Sequence, residues 1–154
     1  MELTFYYNNS NNENKIKLSR DCPFRNEVFN ALINSCYYDK ITYLTISVNW
    51  YNKNIHKFIK RPNSLKFLSC KKCNLDSLNK LLNKLPDSLE YLDCSYNNLT
   101  SLPKLPNSLQ KLYCQFNILT MIPELPRTLL TLYCDVNNFI RKRKYKYLIK
   151  IICM

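Results

Sequence analysis

The chain has 154 residues and a formal net charge of +12, from 23 Lys and Arg against 11 Asp and Glu; it contains no glycine and eight cysteines. That length suits one domain, and that charge favours acidic proteins, anionic lipid or nucleic acid as associates. No window approaches the ~20 apolar residues that span a bilayer, and Met1 to Phe5 lack a basic leader, so the expectation is a soluble cytoplasmic protein with reduced thiols and no disulfide framework.

In chain order, Leu3 to Tyr7 and Lys15 to Leu18 are short β-prone runs separated by a polar Asn-rich stretch, consistent with a hairpin or with one strand and a loop. Asp21 followed by Pro23 starts a helix well, and Phe24, Val28, Leu32 and Cys36 recur every four residues. The spacing predicts a helix from about Pro23 to Tyr37, whose apolar stripe would cap whatever follows. Residues 1–40 are therefore read as an N-terminal cap.

From Ile41 one pattern repeats five times. It runs Ile41-x-x-Leu44-x-Ile46-x-x-Asn49, then Leu65-x-x-Leu68-x-Cys70-x-x-Cys73-x-Leu75 and Leu89-x-x-Leu92-x-Cys94-x-x-Asn97-x-Leu99. It continues as Leu109-x-x-Leu112-x-Cys114-x-x-Asn117-x-Leu119 and Leu129-x-x-Leu132-x-Cys134-x-x-Asn137-x-Phe139, with starts 24, 24, 20 and 20 residues apart. This is the leucine-rich-repeat signature, in which no unit buries its apolar face alone and stacking closes the core. The fold class expected is α/β: a solenoid over residues 41–140 with a curved parallel sheet on its concave side. The 24-residue repeats leave room for a helical turn or two, as Leu75, Leu78, Leu81, Leu82 and Leu85 suggest. In the 20-residue repeats, paired prolines such as Pro103 and Pro106 force an extended convex side instead. After Phe139 the pattern stops, and residues 141–154 read as a basic terminal cap or tail.

The inward positions should form apolar columns, with Cys70, Cys94, Cys114 and Cys134 chosen for volume. Asn49, Asn97, Asn117 and Asn137 should form a ladder satisfying turn backbone groups. Cys70-Lys71-Lys72-Cys73 has the spacing of half a zinc ribbon but lacks a second half, so no metal and no cofactor is assigned. The only histidine, His56, has no acidic residue placed to orient it, which leaves no catalytic group and a non-enzymatic reading.

Residues alternating with the inward ones face outward on the strands: Tyr43, Phe67, Tyr91, Lys111 and Thr131 in one column, then Thr45, Ser69, Asp93, Tyr113 and Tyr133. Lys71, Ser95, Gln115 and Asp135 follow at the strand ends, flanked by Lys72, Tyr96 and Phe116. Aromatic groups among scattered charges suit a protein interface, so Tyr43, Phe67, Tyr91, Asp93, Lys111, Tyr113, Tyr133 and Asp135 are the candidate partner contacts. The alternative surface is the basic tail, where Arg141, Lys142, Arg143, Lys144 and Lys146 would contact nucleic acid or another anionic surface with steep salt dependence.

The block Leu85-Pro86-x-Ser88-Leu89-x-x-Leu92-x-Cys94-x-x-Asn97-x-Leu99-Thr100-x-Leu102-Pro103 resembles the short repeats of bacterial type III effectors of the YopM and IpaH kind. Ile41-Thr42-Tyr43-Leu44-Thr45-Ile46, followed by Pro62-Asn63-Ser64-Leu65, is similar to the FNIP repeats of amoebae and of giant amoeba-infecting DNA viruses. Together with the glycine-free, Asn-, Lys-, Ile- and Tyr-rich composition, the resemblance implies a viral leucine-rich-repeat protein that acts as an interaction module on host proteins. Cys134-Asp135 lies inside the repeat consensus, so the ubiquitin-ligase role of IpaH-like effectors is not carried over to it.

Overall fold

The computed structural model describes residues 2–9, 12–19, 38–45, 63–76 and 85–139. The helix expected from Pro23 to Tyr37, His56, the convex leucines at 78, 81 and 82, and the tail from Arg141 lie outside the described residues. Those residues build one seven-stranded sheet in the order β2-β1-β3-β4-β5-β6-β7. The strands are β1 (Glu2–Asn9), β2 (Asn12–Ser19), β3 (Ile41–Thr45), β4 (Phe67–Ser69), β5 (Tyr91–Asp93), β6 (Lys111–Tyr113) and β7 (Thr131–Tyr133), with a 3-10 turn at Tyr38–Lys40 leading into β3.

From β3 to β7 every pairing is parallel and in repeat register, so Leu44, Leu68, Leu92, Leu112 and Leu132 stand opposite one another. All five are fully buried. Alternation along a strand is what puts them on one face. Parallel columns form beside them from Leu65, Leu89, Leu109 and Leu129, from Cys70, Cys94, Cys114 and Cys134, and from Leu75, Leu99 and Leu119. Each fully buried leucine contributes about 1.5–3 kcal/mol of transfer free energy before chain entropy is subtracted. The far side of the core is closed by Leu85, Leu102, Leu105 and Ile122. Between strands the 20-residue repeats run without helix, as the proline pairs require. Each coil re-enters the sheet through a turn in which the amide of Leu89, Leu109 or Leu129 bonds the carbonyl of Pro86, Pro106 or Pro126 at 3.1 Å.

The N-terminal edge is organised differently. β1 and β2 form an antiparallel hairpin in which Asn9 faces Asn12, and β1 then pairs antiparallel with β3, Phe5 opposite Leu44, with a register shift between Tyr6 and Tyr7. The edge of β3 that would otherwise present unpaired amides is thus covered by a strand of the same chain. Among the described residues no helix is long and apolar enough to cross a membrane.

The turns after β4, β5, β6 and β7 each place the same position at positive φ: Lys72 (55°), Tyr96 (56°), Phe116 (54°) and Val136 (51°), with Asn74 (54°) two residues beyond Lys72. This left-handed step swings the following residue back under the strand ends. For residues other than glycine and asparagine it costs roughly 1–2 kcal/mol, and it is least tolerable for a β-branched side chain. Val136→Asn is therefore expected to raise stability by about 1 kcal/mol, seen as a higher midpoint in thermal denaturation. An unchanged or lower midpoint would show that the turn is not strained.

Candidate protein-interaction face

Two hydrogen-bond ladders fix where each outward side chain points. Asn97 Nδ2 donates to the carbonyls of Cys70, Cys94 and Ser95 at 3.0, 2.9 and 3.1 Å, while its Oδ1 accepts from the amides of Cys73 and Leu75 at 2.9 and 3.0 Å. Asn117 and Asn137 repeat this, their Oδ1 atoms accepting from Leu99 and Leu119. In the second repeat Cys73 occupies the ladder position and its thiol donates to the Lys71 carbonyl at 3.5 Å. The second ladder was not read from the sequence. Ser64, Ser88, Ser108 and Thr128 donate their hydroxyls to Ile41, Leu65, Leu89 and Leu109 carbonyls of the preceding repeat at 2.9, 2.8, 2.7 and 2.9 Å. Its signal is the recurring Pro-x-Ser/Thr-Leu, which appears four times.

The scaffold brings five of the eight candidate partner contacts into one unbroken ladder of rings. Tyr43 stacks on Phe67 with centroids 4.0 Å apart, and Phe67 on Tyr91 at 4.1 Å. The ladder then crosses diagonally to the next column, Tyr91 lying 5.2 Å from Tyr113 at a 32° tilt, and Tyr113 stacks on Tyr133 at 4.9 Å. Because neighbouring rings cover one another's faces, the surface presented outward is a ribbon of ring edges and phenolic hydroxyls. Burial, with Asp93, Tyr113 and Tyr43 close by, pushes the Tyr91 hydroxyl from 10.0 up to about 12, and Tyr113 is raised for the same leading reason. The Tyr91 and Tyr113 hydroxyls therefore stay protonated and available as donors.

The charged candidates are arranged differently. Lys111 is exposed beside the ladder. Asp93 is only 9% exposed, and its Oδ1 accepts from the Ser95 hydroxyl at 2.6 Å and the Ser95 amide at 3.0 Å, so it braces the strand end instead of projecting toward a partner. Asp135 is half-buried, and its Oδ1 and the Oε1 of Gln115 on the adjacent repeat are buried without a hydrogen-bond partner.

None of the five described cysteines is in a disulfide. Cys70 and Cys94 donate to the Asp93 and Tyr113 carbonyls of the next repeat at 3.5 and 3.4 Å. Burial first, then neighbouring thiols, hold Cys70, Cys94 and Cys114 well above 9.0, and burial with Asp93 pushes Cys73 up to about 12. Native protein should accordingly leave these thiols unmodified by iodoacetamide at about pH 8, while urea-unfolded chain reacts at all of them. In the unfolded chain the thiols ionise from about 9.0, whereas the folded ones keep their protons. Stability is then full below that pH and declines as pH rises from 9.0 toward 12, which urea midpoints across that range would measure. Among the described residues no three His, Cys, Asp or Glu side chains come together as a metal site.

No family model matches this chain, and no curated protein does. Among solved structures, YopM from Yersinia enterocolitica WA-314 is similar to it, with 34% sequence identity over 52% of this chain and a TM-score of 0.43. The match spans 21% of that protein's length. The repeat spacing, the buried leucine columns in parallel register and the asparagine ladder together make the fold a leucine-rich-repeat solenoid.

Proposed function

We propose that this protein is a non-catalytic binding module that offers the outward face of its sheet to a partner protein. The observation that carries the reading is the ring ladder from Tyr43 to Tyr133, which runs across all five repeat strands. Tyrosine combines large contact area with low entropic cost and a polar tip, which is why it is enriched where proteins recognise one another. Viral origin, suggested by composition and by the FNIP-like stretch, would make that partner a host protein.

Two features argue against nucleic acid on this face. The stacked rings have their faces covered, so bases find no platform there. The described residues from 38 onward also hold seven cations against seven anions, so this part of the chain carries no net positive charge to draw phosphate. On the alternative reading, nucleic-acid contact falls to the basic tail, through Arg141, Lys142, Arg143, Lys144 and Lys146.

The test is affinity capture with the full chain and with the Tyr91→Ala/Tyr113→Ala/Tyr133→Ala variant. A partner that binds through the face should lose at least ~2 kcal/mol of affinity, about thirtyfold, while the variant stays folded by circular dichroism. Undiminished capture by the folded variant would refute the assignment.

A further inference from the structure

The turns that follow the strands carry a row of apolar side chains that the core does not use. Tyr96, Phe116 and Val136 occupy the same position in consecutive repeats and are 39%, 40% and 61% exposed, and Ile118, two residues beyond Phe116, is 43% exposed. Each of the first three sits at positive φ, where asparagine would be cheaper. The chain does use asparagine in that conformation, at Asn74. Tyr96 and Phe116 recover something by stacking at 4.3 Å. An exposed valine in a left-handed turn is doubly unfavourable within the chain itself, and such outliers point to a role in contact with something outside it.

Charge completes the row. The ammonium groups of Lys71 and Lys72 lie 5.2 and 5.1 Å from the centre of the Tyr96 ring. On the strand ends, Asp93 is held by Ser95 and Asp135 has one carboxylate oxygen buried. The row is thus apolar with two exposed cations at one end. It is made of turn residues at one recurring position in consecutive repeats. A protein would need a matching groove to receive it, whereas a lipid interface conforms to whatever enters it. Aromatic rings with polar tips and lysines on long apolar stems are suited to that boundary.

We infer that this turn edge, centred on Tyr96, Phe116 and Val136 with Lys71 and Lys72, docks on an anionic phospholipid surface. It does so independently of the ring ladder, which stays free for a protein partner.

The experiment is flotation of the full chain with vesicles of phosphatidylcholine alone or mixed with phosphatidylserine. Wild type should float with the mixed vesicles and not with phosphatidylcholine alone. Tyr96→Asn/Phe116→Asn/Val136→Asn should lose at least about tenfold in partitioning while melting no lower than wild type, since asparagine suits the turn. Lys71→Gln and Lys72→Gln should each weaken partitioning about fivefold at low salt. A further full-length variant with Arg141, Lys142, Arg143, Lys144 and Lys146 all changed to Gln separates the edge from the basic tail. The inference is overturned if wild type ignores both vesicles, or if the asparagine variant floats undiminished while the tail variant does not. It is equally overturned if the asparagine variant loses a captured protein and wild type never binds lipid. The tyrosine variant of the ring ladder should float like wild type, so failure of one proposal leaves the other standing.

Discussion

Asn97→Ala is expected to lower unfolding free energy by about 3–5 kcal/mol, read from the shift of the urea midpoint. One side chain serves five backbone groups drawn from two repeats: the amides of Cys73 and Leu75 and the carbonyls of Cys70, Cys94 and Ser95. Asn97 itself is only 7% exposed, so water does not readily replace it. Alanine would leave those groups unpaired, at roughly 1–3 kcal/mol for each one fully desolvated. Asn97→Asp should be no better, because a carboxylate keeps the acceptor but turns negative charge on three carbonyl oxygens. Its loss should shrink as pH falls and the carboxyl protonates, since protonation favours the folded form of that variant. Asn137, which is less buried, should tolerate alanine better. A loss below about 1 kcal/mol for Asn97→Ala would mean that the ladder only decorates the turns.

Leu112→Ala has the second largest expected effect, about 2–5 kcal/mol. Leu112 is fully buried and lies between Leu92 and Leu132, so the cavity opens in the middle of a column and weakens two coil interfaces together. Since a solenoid's stability is a sum over neighbouring coils, the transition should also broaden as the two sides uncouple. Leu130→Ala, 65% exposed, is the control, and should change stability by no more than about 0.5 kcal/mol. Equal losses at the two positions would contradict the column packing.

The solenoid could be read from the sequence because leucine, cysteine and asparagine recur at spacings that only a stacked coil satisfies. The outward columns followed from strand alternation alone, and that rule brought Tyr43, Phe67 and Tyr91 together correctly. It could not show that the rings continue diagonally from Tyr91 to Tyr113, because that step depends on side-chain direction between two columns. Nor could it show that Asp93 folds onto Ser95, a residue two places along the same face. The pairing of β1 with β3 escaped for another reason. Edge pairing joins residues as far apart in sequence as Thr4 and Thr45, and short β-prone runs carry no mark of their register. The hydroxyl ladder was visible as Pro-x-Ser/Thr-Leu, yet each hydroxyl bonds a carbonyl about 20 residues upstream, which no local pattern discloses.

The antiparallel seam between β1 and β3 gives the array a reserved start, because a further coil cannot be inserted there without breaking the hairpin's pairing. From Leu89 onward the coils are modules of 20 residues, joined to one another by the same bonds. Duplicating one would lengthen the footprint by a single strand spacing, about 4.8 Å, and leave the rest untouched. Reach along a partner is thereby set by gene-level copy number, a quantity that recombination changes in whole steps and point mutation does not change at all.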